Sequence, residues 1–368
     1  MKELKKITPV FKNITILIML MSFFNEVRSQ QKEDKEFRIN IVYKNIYTHF
    51  YDSSKKLFKE KTVINDKEKP YAYLWPLCAV LQSANEMDVM TVSKNNLEQT
   101  MFVIQKYYNP AKPPAPGYES YLLSEGGDAR FYDDNQWIGI ACMDVFNRTK
   151  NNAYLQRAKT IYSFMLTGYD SVSGGGLYWK EFDNSSKNTC SNAPGVLLAL
   201  QLYKATKQKK YLDTALILYD WINKHLQSKN ELYFDHVMLP SLQIDKRFFT
   251  YNTGTMLESN VLLYSITKEK KYLQTAKKLA ANACKYFYKN ELFPPNYWFN
   301  AVLLRGYEAL YKQDKNKYYL NVFNKYADKI WETQRDKNYL IGNEKIKTLL
   351  DQAGYLEILV RLYNLSHI

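Results

Sequence analysis

The stretch "SNAPGVLLALQLYKATKQKKYLDTALILYDWI" (191–222) decides the fold. Its first half is apolar nearly all round. Its second half sets apolar residues at i, i+3 and i+4 with charges between them. A helix apolar on every side is buried, and an amphipathic one is half exposed. The stretch therefore reads as an inner helix and an outer helix joined by a short polar turn. Two more segments repeat the design, "DNQWIGIACMDVFNRTKNNAYLQRAKTIYSFM" (134–165) and "YNTGTMLESNVLLYSITKEKKYLQTAKKLA" (251–280). Thr149, Thr206 and Thr267 align, and so do Tyr154, Tyr211 and Tyr272, at offsets of 57 and 61 residues. Self-similarity at this period means stacked helix pairs that cannot bury their faces singly.

Weaker copies extend both ways, through "YAYLWPLCAVLQSANEMD" (71–88), "PNYWFNAVLLRGYEALYKQ" (295–313) and a closing "TLLDQAGYLEILVRLYN" (348–364). With an opening helix from residue 36, about twelve helices are expected. The helices at both ends are as apolar as the middle ones, which favours a closed ring over a solenoid with polar capping repeats. The expected fold is all-α, an (α/α)6 barrel of six inner and six outer helices.

Residues 1–29 are set apart from this domain. Lys2, Lys5, Lys6 and Lys12 precede the apolar run "ITILIMLMSFF" (14–24), and "VRS" (27–29) offers a small residue before Gln30. That is the pattern of a signal peptide. The expectation is an exported, periplasmic or secreted protein whose single domain spans 30–368, with no stable membrane insertion. The formal charge is +14; five basic and two acidic residues lie in the leader, so about +11 stays with the domain. The lysines scatter over the turns between helices, so the charge reads as solvated helix ends and not as a nucleic-acid face. Cys78, Cys142, Cys190 and Cys284 show no metal-ligand spacing, and neither do the four histidines (49, 225, 236, 367). No metal and no cofactor is expected. No GxSxG elbow, phosphate loop or histidine pair suits other chemistries of a helical barrel.

The long loops that precede the inner helices (109–132, 168–191, 228–250, 289–296) gather at one end of such a barrel and hold much of the Gly, Pro and aromatic content. Function concentrates on loops of this kind. The first ends in "FYDDNQWIG" (131–139). One Asp suffices to cap a helix; a second one beside it must tolerate its neighbour. Crowding and burial raise the pKa of one carboxyl and leave the other ionised, which is the pairing used in glycoside cleavage. Asp133 and Asp134 are therefore the candidate catalytic pair. Candidate sugar contacts are the aromatics Trp75, Tyr132, Trp137, Tyr178, Trp179 and Tyr251, which can stack on sugar rings. The amides of Asn188, Asn192 and Asn252 can bond hydroxyls.

"YDDNQW" (132–137), "GGGLYWK" (174–180), "KNTCSNAP" (187–194) and "FTYNTGTMLESNVLLY" (249–264), in this order, resemble glycoside hydrolase family 76. The likeness covers about residues 40–365. It implies an (α/α)6 barrel that hydrolyses internal α-1,6-mannosidic bonds of mannan with retention of configuration. It further implies Asp133 as nucleophile and Asp134 as acid/base. The expected partner is α-mannan or mannooligosaccharides, and the expected state a monomer. Cys190 and Thr253 depart from the family's usual residues. A mannan-binding barrel without turnover and a transglycosidase that remodels α-mannans are the alternatives. The first would have no use for an intact Asp pair.

Overall fold

In a computed structural model, residues 34–91 and 95–366 are described; the expected signal peptide lies outside them. Twelve α-helices occur among the described residues. α1 spans 34–45 and α2 Leu74–Met90; α3 is Asn96–Ile104, α4 Tyr132–Thr149 and α5 Asn152–Leu166. Next come α6 (Thr189–Thr206), α7 (Lys209–His225), α8 (Thr250–Thr267) and α9 (Lys270–Phe287). The last are α10 (Tyr297–Asp314), α11 (Tyr318–Thr333) and α12 (Leu349–Leu365).

The even-numbered helices form the inner ring. Each packs on the next, and α12 returns to pack on α2, which closes the barrel as the repeat pattern predicts. α6 buries an unbroken run from Thr189 to Leu202. In the outer helix α9, Tyr272, Ala276, Leu279, Ala280, Ala283 and Phe287 face inward, while Lys270, Lys271, Lys277 and Lys278 are exposed. Each fully buried Leu is worth about 1.5–3 kcal/mol. Small residues set the closest approaches. A Cβ on Gly254 would lie 2.5 Å from Leu303 Cα, and one on Gly354 would lie 2.3 Å from Trp298 N. These contacts draw α8 and α12 onto α10.

Two features of the repeat now have physical causes. Thr149, Thr206 and Thr267 each donate to the carbonyl four residues back, at 2.9, 2.8 and 3.0 Å. Each also accepts the N–H two residues on. They stop the helix and lead into the left-handed Lys150, Lys207 and Lys268 (φ 60, 60 and 64°). The second is the amide near the start of the inner helices. Asn135 bonds both backbone groups of Tyr118, Asn192 those of Leu177 and Gln352 those of Ile341. Each amide pins the preceding loop to its inner helix.

Four loops hold strands that the repeat gave no sign of. β1 (Tyr51–Asp52) with β2 (Leu57–Phe58), and β3 (Tyr108–Asn109) with β4 (Gly117–Tyr118), are two-residue hairpins. The larger departure is an antiparallel sheet of β5 (Tyr178–Lys180), β6 (Asp183–Asn188), β7 (Phe234–Met238) and β8 (Ile244–Phe248), in that order. It is built by the long loops before α6 and α8. β6 reads "DNSSKN" and β8 "IDKRF", so neither shows the apolar alternation of a half-buried strand. All four cysteines are buried and free. No helix among the described residues is long and apolar enough to cross a membrane.

Candidate active site

A cavity of about 930 Å³ opens at the loop end of the barrel. Asp133 and Asp134 stand in it, at the second and third positions of α4. Trp137, one turn further along α4, packs edge-on against Trp298 (5.6 Å between centroids), and both line the cavity floor. One wall is the sheet, through Trp179, Ser186, Asn188, Asp235, His236 and Arg247. Tyr73, Trp75 and Ser120 also line the cavity, as do Tyr251 of α8 and Phe299 of α10.

The two carboxyls sit in different surroundings. Asp133 Oδ2 accepts the Trp179 indole N–H at 3.3 Å, and its Oδ1 has no hydrogen-bond partner. Burial pushes Asp133 up to about 6, against the Cys190 thiol, the first-turn amides of α4 and the Trp179 indole, which all favour the anion. Asp134 lies well above the usual carboxylate range, first through burial and then through the charge of Asp133. Among the described residues no donor opposes that shift. The arrangement gives one carboxylate and one carboxylic acid near neutral pH.

Of the residues singled out in the sequence, Asp133, Asp134, Trp75, Trp137, Trp179, Asn188 and Tyr251 line the cavity. Trp179 is 40% exposed, as a platform must be, whereas Trp137 is 2% exposed and forms floor. The other four candidates, Tyr132, Tyr178, Asn192 and Asn252, lie outside the cavity lining. Tyr132 packs on Phe164, and its hydroxyl meets Thr167. Tyr178 alternates away from Trp179 along β5; its hydroxyl donates to Asp170 and its ring lies under Lys187. Asn192 spends its amide on Leu177 and Asn188. Asn252 is buried in α8, outside the cavity lining.

The sheet brings in residues that sequence reasoning missed. Asp235, His236 and Arg247 reach the cleft only because β7 and β8 fold against β6. Phe131, directly before the Asp pair, packs on Trp179 at 5.0 Å; its place in the quoted motif could have flagged it. Asp235, His236 and Asp245 offer ligand atoms within 4.8 Å of one another. Arg247 already bonds both carboxylates, 2.7 Å from Asp245 and 3.3 Å from Asp235, so a guanidinium supplies the positive charge there.

The site is thus a carboxyl pair beneath an aromatic cleft at one end of a closed helical barrel. The chain belongs to glycosyl hydrolase family 76, whose sequence model matches residues 37–300. It is similar to a family 76 α-mannanase of Bacteroides thetaiotaomicron at 25% identity and TM-score 0.84, covering 90% of this chain and 96% of that one. A second family 76 mannosidase of that organism matches at 26% identity and TM-score 0.82, over 91% and 99% of the two chains. The mannan endo-1,6-alpha-mannosidase DCW1 of Candida albicans is 30% identical over 188 residues, 47% of this chain and 41% of that protein. The chain spans about half the length, or less, of the curated relatives it matches.

Proposed function

We propose that the protein is a retaining, endo-acting glycoside hydrolase that cleaves α-1,6-mannosidic bonds in mannan backbones. The observation that carries this reading is the unequal environment of the two adjacent carboxyls. Asp133, whose Oδ2 accepts the Trp179 indole N–H, attacks the anomeric carbon and forms a glycosyl-enzyme. Asp134, kept protonated by burial and by its neighbour's charge, gives its proton to the departing glycosidic oxygen. It then takes a proton from the water that releases the sugar. Both carboxyls start from the first turn of one helix. Trp179 and Trp75, both lining the cleft, offer apolar faces to the sugar rings. Asn188 and Ser186 offer polar groups to hydroxyls. The names of the similar proteins support α-1,6-mannan as the substrate.

The test is incubation with linear α-1,6-mannan and, in parallel, with other polysaccharides, followed by product sizing. A ladder of oligosaccharides from the linear mannan alone is expected. Longer chains in place of shorter ones would point to transglycosylation. Binding without any change in chain length would assign a non-catalytic role.

A further inference from the structure

Two loops, the one before α4 and the β5–β6 turn, meet at one buried guanidinium. Arg130 is fully buried and precedes Asp133 by three residues. Its Nε donates to Glu181 Oε2 at 2.7 Å, and its Nη2 donates to Glu181 Oε1, so both carboxylate oxygens are gripped. The remaining donors reach the carbonyls of Ala115, Pro113 and Lys112 at 2.8, 2.9 and 3.2 Å. The backbone runs alongside: Glu181 N–H donates to Arg130 O at 3.0 Å, and Phe131 bridges Lys180.

Glu181 follows Trp179 by two residues, in the turn between β5 and β6. The ion pair therefore joins the segment that carries the indole donor to the segment that carries its carboxylate acceptor. Trp179 is carried on β5 and is 40% exposed, so the hairpin sets where its ring stands against Phe131 and Asp133. Burying two charges is costly, and an apolar pair of the same volume often stabilises a fold as well or better. What a two-pronged Arg–carboxylate pair adds is fixed geometry.

We propose that Arg130 and Glu181 are positioning residues: their ion pair clamps the β5–β6 hairpin to the start of α4 and so holds the Trp179 indole on Asp133. The inference rests on Asp133 being the nucleophile only for its effect on turnover. The groups that face Asp133 are Asp134 on α4, Cys78 on α2, Cys190 on α6, Tyr251 on α8 and Trp179 on β5. Of these, Trp179 alone is carried by the clamped hairpin.

The experiment labels tryptophan with 15N in the full chain and follows the Trp179 indole N–H, assigned by its loss in Trp179→Phe. In the wild type the resonance should shift with a midpoint near pH 6, as its acceptor gains a proton. The double variant Arg130→Met, Glu181→Leu removes both charges and keeps the volume. It should melt as a folded protein and lose at least half of the pH-dependent shift. Its kcat on α-1,6-mannan should fall by about tenfold or more, since small misplacements at a reacting centre are costly. A folded double variant with an unchanged shift and kcat overturns the proposal. Should that variant not fold, Glu181→Asp, one methylene shorter with its charge kept, takes its place. A reduced shift there supports the clamp, and an unaltered one overturns it. A wild type without turnover on mannan would sink the proposed function, while the resonance would still decide on the clamp.

Discussion

Asp133 and Asp134 are neighbours in the chain but opposites in chemistry. The difference comes from one indole, one thiol and the amides of a helix start, all on the side of Asp133. On a substrate with an activated leaving group, Asp134→Asn should still form and accumulate the glycosyl-enzyme, and azide should rescue it to an α-glycosyl azide. Asp133→Asn should form no adduct; intact-protein mass spectrometry and product NMR read both outcomes. A β-azide would instead indicate inversion. With Asp133 as the proposed nucleophile, kcat/KM should fall as pH drops through about 6, where the carboxyl takes up its proton. A rate that stays flat down to pH 4.5 would contradict that. The same group costs stability. Its folded pKa of about 6 lies above the unfolded value, so the folded state loses stability as pH rises through that interval. Allowing for its partial exposure to the cleft, the cost above pH 6 is about 2 kcal/mol. Asp133→Asn should therefore be the more stable protein in urea at pH 7.5, with the gain vanishing near pH 3.5.

At the scale of elements, the repeat is written in helix ends as much as in helix faces. Lys150, Lys207, Lys268 and Lys315 all take left-handed backbone after an inner helix, at φ near 60°. An L residue pays for that conformation and glycine does not. Lys207→Gly should raise stability by about 0.5–1 kcal/mol, measured by urea unfolding. No gain would mean that the Lys207 ammonium, near the Tyr203 ring (5.8 Å), offsets the strain. The sheet is the contrasting element. It has no counterpart in the repeat, yet it supplies a whole wall of the cleft.

The barrel as a whole is polar along part of its interior. At the end away from the cleft, Arg305 bonds Asp144 and Glu258, and Arg361 bonds Glu86, Glu308 and Glu357. Five of the six inner helices, α2, α4, α8, α10 and α12, contribute to these two clusters. Removing Arg361 leaves Glu86 and Glu357 without its charge and Glu308 with Lys312 alone, so Arg361→Met should cost about 3–5 kcal/mol at pH 7. The exposed pair of Lys312 with Glu308 should be worth less than about 1 kcal/mol. Burial already pushes Glu86 and Glu357 up. Both protonate more readily once the arginine is gone, and the loss should shrink toward acidic pH. Equal effects of Arg361→Met and Lys312→Met in urea would show that the network does not hold the ring shut.

Periodic features survive in a linear reading because they recur. The apolar inner runs, the amphipathic outer helices and the Thr-ended turns specify a stacked helical ring from local pattern alone. The Asp pair was legible for the same reason, since it stands where a loop meets a predicted inner helix. Side-chain direction was not. Tyr178 and Trp179 are adjacent and both aromatic, and only strand pairing sends one into the wall and the other into the cleft. Asn188 and Asn192 share one motif, but the helix geometry of α6 turns Asn192 to the Leu177 backbone and leaves Asn188 on the cavity. Asp235 and Arg247 lie about a hundred residues from Asp133. They reach its cleft through cross-strand hydrogen bonds that polar strands do not announce. The tertiary structure decided the site's walls because non-local pairing, unlike helical period, leaves no trace in neighbouring residues.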